Sequence, residues 1–120
     1  MSKLVAALLA LLALLVLLAA ASLGWALPPD TPAASATFKS QCASCHGPDG
    51  AGTAAGRSLN VADLRSTAVQ GQSDAQLEQI VKNGINNMPA FGDSLSDQEI
   101  AGLVAHIRTF GKKTHTTASQ

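Results

Sequence analysis

The sequence predicts a small all-α domain behind an apolar N-terminal segment. Three observations carry that expectation: two capped amphipathic helical patterns in the second half of the chain, no alternating strand pattern, and two cysteines with a histidine crowded between Cys42 and His46. Helices group apolar residues three and four apart, whereas half-buried strands alternate them. The first pattern recurs here and the second does not.

The opening 26 residues, MSKLVAALLALLALLVLLAAASLGWA, carry one charge at Lys3, and no other charged residue occurs before Asp30. Such a run suits a membrane or a translocon better than a soluble core. Residues 1–26 therefore read as a signal peptide cut after Ala26, or as a retained anchor crossing the membrane through residues 4–24 with Trp25 at the interface. Small Gly24 and Ala26, with Pro28 and Pro29 close behind, favour cleavage. Both readings export the remainder, to the periplasm in a bacterial cell.

Beyond residue 26 the chain holds seven Lys or Arg and eight Asp or Glu, a net charge of about −1 with no basic stripe. Nucleic acid is thereby excluded as a partner. The same stretch has no Trp, no Tyr and three Phe, at positions 38, 91 and 110. A core of Ala, Leu, Val and Ile on this scale is thin, so a bound group is expected to supplement it.

Residues 27–35, LPPDTPAAS, read as a linker, and residues 36–111 as the domain. Ala36 to Cys45 is expected to form a short helix that brings Phe38, Cys42 and Cys45 within reach of one face. The glycine-rich stretch GPDGAGTAAGRSLN, residues 47–60, reads as a long loop, and a weak helical turn is signalled between Val61 and Ala68. Ser73 caps a helix carrying Leu77, Ile80 and Val81, with Gly84 as its stop. Ser96 and Glu99 form a capping box for a last helix running to Phe110 before Gly111, and residues 112–120 read as a polar tail.

Two cysteines separated by two residues serve three chemistries, and the residue after the second one discriminates among them. A redox dithiol needs only CxxC; zinc needs two more ligands; covalent haem needs CxxC followed directly by His. His106 and His115 are nine apart, too far for the usual zinc pair, and no βαβ framework supports a thioredoxin-like site. A bare structural disulfide remains compatible with export. The motif favours haem: Cys42 and Cys45 as thioether anchors and His46 as the proximal iron ligand.

A second axial ligand has three candidates in the exported part. Met88 is the one methionine there, set in KNGINNMPAFGDSL after a helix stop and before Pro89. A lone Met is ordinarily core filler, but this loop context and the softness of a thioether favour it as a ligand. His106 falls inside the last helix beside Leu103 and Ile107, and His115 in the tail.

With these residues in place, the chain resembles the class I c-type cytochromes, especially the short soluble bacterial and photosynthetic ones. The similarity covers about Phe38 to Phe110 and rests on CASCHG, NMPAFGDSLSDQEI and LVAHIRTF. The resemblance implies an all-α cytochrome c-like fold, its first and last helices crossed around one covalently bound haem c. It also implies Cys42 and Cys45 as attachments, with His46 and Met88 as axial iron ligands. Phe38 matches the aromatic at the crossing, where His106 takes the place of the usual aromatic partner. Arg57 stands where many relatives have the proline whose carbonyl accepts the Nδ1 proton of the proximal histidine.

The implied function is a monohaem one-electron carrier between redox partner proteins, a monomer without bond-making catalysis of its own. Ala51, Ala54, Ala90 and Phe91 are expected near the rim of the haem, and the absence of a lysine ring predicts no strong steering. Two other readings keep the haem. In one, a retained anchor makes the domain a subunit of a larger respiratory or dehydrogenase complex; in the other, a displaceable Met88 makes it a ligand sensor.

Overall fold

The computed structural model describes residues 2–20 and 31–117, and among them the chain is helical, with no β-strand beyond a single bridge between Ile85 and Met88. The proposed cleavage site after Ala26, Trp25, residues 27–30 of the linker and residues 118–120 lie outside the described residues. The described helices, in chain order, are α1 (Lys3–Ala20), α2 (Pro32–Gln41), α3 (Ala43–His46), α4 (Ala54–Ser58), α5 (Thr67–Gln70), α6 (Asp74–Asn83) and α7 (Asp97–Thr117).

Helix α1 is rich in apolar residues all round and exposes its leucines from Leu4 to Leu15. Its 18 residues reach about 27 Å, short of the roughly 30 Å hydrocarbon core. Among the described residues no helix is long and apolar enough to cross a membrane, and α1 packs against none of the other helices.

The remaining helices gather round α7. Its residues Ile100, Leu103 and Val104 are almost wholly buried, with α2 and α6 packed against the helix and α5 joining them. Phe38 on α2 and Phe110 on α7 close the core where those helices meet, each about 2% exposed. Beside them lies the ring of His106, its centroid 5.1 Å from each phenyl ring, edge-on to Phe110. The histidine thus takes the aromatic place that the sequence assigned to it.

Local signals account for most helix ends. Ser73 accepts from the N–H of Gln76 at 3.2 Å while the Gln76 side chain accepts from the Ser73 N–H at 2.8 Å, and Gly84 stops α6 at φ 72°. Ser96 and Glu99 do the same for α7, at 3.3 and 2.8 Å. The bonds from Ser96 hold the Glu99 carboxyl below its usual pKa.

Four boundaries differ from the sequence expectation. Helix α2 begins at Pro32, inside the expected linker, because Thr31 caps it and proline suits a first helical position. The helix expected as far as Cys45 breaks at Cys42 (φ −117°) into α2 and α3. The expected turn at Val61–Ala68 forms later, as α5, capped by Ser66. Gly111 does not stop α7, which continues to Thr117: this glycine is there for clearance, since a Cβ would meet the Gln70 side chain at 2.6 Å.

That glutamine fastens α5 to the core. Its amide donates to the Leu64 carbonyl at 2.6 Å and to that of Ile107 at 3.1 Å. Arg108 completes the clasp, donating to the carbonyls of Gln70 (2.8 Å) and Gln72 (2.5 Å) and to the Asp74 carboxylate (2.9 Å). Two polar side chains thereby satisfy backbone carbonyls that short segments would otherwise leave bare.

Gly102 differs from the other glycines of the domain. It is helical, and a Cβ there meets only the Ala34 methyl at 3.5 Å, an ordinary contact. Gly102→Ala is therefore expected to stabilise the domain by about 0.5–1 kcal/mol through reduced unfolded-state entropy. Denaturant unfolding of the two proteins measures it.

Candidate haem site

The site is built on α3, a single turn too short to be stable alone. Its carbonyls are held by the adjoining loop. The Gly52 N–H donates to His46 O at 2.7 Å and the Thr53 N–H to Cys45 O at 2.9 Å, while the Thr53 hydroxyl donates to Ser44 O at 2.8 Å. Thr53 then caps α4, accepting from the Gly56 N–H at 3.0 Å. The stretch read as one long loop therefore contains a helix that backs onto α3.

Gly56 makes that contact close. A Cβ at this position would overlap the Cys45 carbonyl oxygen and lie 2.8 Å from Val61 Cγ1. Gly50, at φ 77°, is similarly tight: a Cβ would lie 2.8 Å from the Phe110 ring. These glycines let the 47–60 segment press α3 against the core.

Cys42 and Cys45 are half-buried and unbridged. Cys42 packs against the core, and burial pushes its thiol pKa up to about 11. His46 is buried, and burial lowers its pKa, leaving a neutral imidazole at neutral pH. The backbone of Ala62 opposes that shift, as a carbonyl facing an imidazole N–H does, yet it forms no well-shaped bond: Nδ1 is buried with no partner within hydrogen-bonding geometry.

The carbonyl beside His46 thus belongs to Ala62, and the sequence-based match to Arg57 is corrected. Arg57 faces elsewhere. Its carbonyl accepts from Leu59 and Asn60 at the end of α4, and its guanidinium donates to Gly52 O at 2.7 Å. Counting from the glycine missed this because α4 inserts a helical turn between Gly56 and the segment at Val61.

Met88 is half-buried and packs on the same apolar cluster as Cys42. Its loop is cinched onto the end of α6: Phe91 and Gly92 donate to the Val81 and Lys82 carbonyls, each at 3.0 Å. Gly84 is required there, since a Cβ would lie 2.5 Å from the Met88 carbonyl. Phe91 packs against the core, Ala51 is half-buried, and Ala54 and Ala90 are exposed. His106 is engaged at the contact of α2 with α7, and His115 falls in the last turn of α7.

Two unpaired thiols one turn apart, a buried neutral imidazole beside them and a thioether on the same cluster fit a covalently held haem. The sequence profile of the family described as cytochrome C oxidase, cbb3-type, subunit III matches residues 29–107. The chain belongs to the class I c-type cytochromes.

This cytochrome is 37% identical over 94 residues to the cbb3-type cytochrome c oxidase subunit FixP of Azorhizobium caulinodans, covering 75% of this chain but 31% of FixP. It spans less than a third of that relative. It is 34% identical over 70 residues to cytochrome c6 of Bryopsis maxima, covering 58% of this chain and 80% of that protein. The solved structure of the KustC0563 c-type cytochrome superposes with a TM-score of 0.61 at 26% identity, over 64% of this chain and 95% of that one. The cytochrome accordingly carries covalent haem c.

The contact between α4 and α3 makes a sharp prediction. Gly56→Ala forces the Cys45 carbonyl away from α4 and is expected to lower covalent haem incorporation several-fold, read as haem retained per polypeptide after denaturation. Gly102→Ala, with room for its methyl, is expected to incorporate haem as the parent protein does.

Proposed function

We propose that Cys42 and Cys45 anchor the haem, that His46 and Met88 are its axial iron ligands, and that the domain carries single electrons between redox proteins outside the cytoplasm. The observation carrying this reading is the buried, neutral His46 on the turn beside both thiols, with Met88 packed on the cluster that Cys42 joins. When bound, the haem supplies a one-electron ferric–ferrous couple.

The chain's own residues account for the rest. Burial keeps the His46 nitrogen lone pair free of a proton, and Ala62 is the group that faces the ring. A thioether is a weak, soft donor and favours the ferrous state more than a second imidazole does. With His46 and Met88 both holding the iron, the chain would leave no position there for a substrate. Export of residues 27–120 is the consequence of the apolar leader, and brief contacts with redox partners suit a small interface.

A second reading is favoured by α1, whose leucines are exposed from Leu4 to Leu15. Retained, this segment tethers the cytochrome to a membrane and suits a subunit of a larger oxidase, as FixP is named; cleaved, it leaves a diffusing monomer.

The ferric holoprotein is expected to show the weak long-wavelength band of a thioether ligand, and the reduced form to resist carbon monoxide. Met88→Ala should abolish the band and admit carbon monoxide rapidly, whereas loss of the band only in a His106 variant overturns the ligand assignment. Intact-mass measurement of the mature protein is expected to place its first residue at Leu27; a mass that includes residues 1–26 establishes the tethered form.

A further inference from the structure

The loop bearing Met88 is fixed to α6 by backbone bonds, but α6 is remote in sequence from the CxxCH turn. Beyond the apolar cluster that both halves share, one polar side chain bridges them. The Asn87 amide donates to the Leu59 carbonyl at 3.4 Å, across 28 residues of sequence. Among the described residues, no other hydrogen bond links the 84–92 loop to residues 31–66.

Both ends of this bond are rigidly mounted. Ile85 and Met88 exchange backbone bonds, Met88 N–H to Ile85 O at 2.9 Å and Ile85 N–H to Met88 O at 3.2 Å, which leaves Asn86 and Asn87 as the two corner residues of a tight turn. Asn86 takes a left-handed φ of 52°, which asparagine tolerates better than most residues. A shift of Asn87 therefore moves Met88. At the other end, Leu59 closes α4, its N–H donating to Gly56 O at 3.0 Å, and Gly56 sits directly on the Cys45 carbonyl. Leu59 is thus one contact removed from the turn that carries His46.

We infer that Asn87 is a positioning residue, a latch that holds the Met88 loop against α4 and so keeps the thioether engaged opposite His46. The inference rests on the His46 and Met88 ligation proposed above. Polypeptide contacts between the two halves set how often the loop swings open. An external ligand binds the iron only in that open fraction, so its apparent affinity scales with the population that the latch suppresses.

Cyanide titration of the full-length ferric holoprotein reads this population. A long, exposed neutral hydrogen bond, at the weak end of the usual range, predicts that Asn87→Ala and Asn87→Asp, both lacking the donor, bind cyanide roughly 2- to 3-fold more tightly than the parent. The long-wavelength band weakens in step. Ser73→Ala, which loosens the cap at the far end of α6 from the loop, serves as the comparison for general destabilisation and should leave cyanide affinity unchanged.

Unchanged affinity and an intact band in both Asn87 variants overturn the latch while leaving the ligation standing. An equal gain in Ser73→Ala overturns it too, since the effect is then one of overall stability. If the parent itself lacks the band and Met88→Ala binds cyanide no more tightly, the ligation reading fails and the latch falls with it, by a different signature.

Discussion

A four-residue helix has almost no stability of its own, and everything in this site hangs on one. Nucleating a helical turn fixes several backbone angles for a single hydrogen bond. Here the deficit is met by the next segment of the chain: Gly52 and Thr53 hand their donors to the carbonyls of α3, and Gly56, by lacking a side chain, lets α4 close against them. The glycine-rich segment is therefore a clamp with defined bonds. Two thiols and an imidazole can be presented to a rigid macrocycle only because the backbone beneath them is held from behind.

The core is similarly lean. Its most deeply buried side chains, Ile100, Leu103 and Val104, are aliphatic, and the paired aromatic rings are confined to the meeting of α2 and α7. With so little apolar area, backbone carbonyls between short segments become costly if left without partners. Gln70 and Arg108 answer that need by bonding to the carbonyls of Leu64, Gln70 and Gln72, and Gln70 ties this junction to Ile107 on α7. A covalently bound cofactor extends the same logic, adding buried contact that the sequence itself cannot provide.

Much of this was legible in the sequence, for identifiable reasons. The Ser73 and Ser96 caps are written locally, within four residues, and both form. The CxxCH motif and the Met88 loop likewise depend on short spacings. The features that escaped sequence reading depend on packing. Gly111 looks like a helix stop, and only the Gln70 side chain lying across α7 shows why glycine is needed there. Counting from Gly56 points to Arg57 for the carbonyl beside His46, but the α4 turn carries that place on to Ala62, and nothing near Asn87 in sequence reveals Leu59 as its partner.

The meeting of Phe38, His106 and Phe110 also bears on how the chain reaches this fold. The rings come from α2 and α7, at opposite ends of the domain's sequence, and Phe38 and His106 are about 68 residues apart. Closing a loop of that length costs on the order of 4 kcal/mol of chain entropy, recovered only once the rings touch. The local turns can form early, but the contact that seals the domain is among the most distant in it. For so short a helical protein, that topology makes the search for the native state slower than its helix content alone implies.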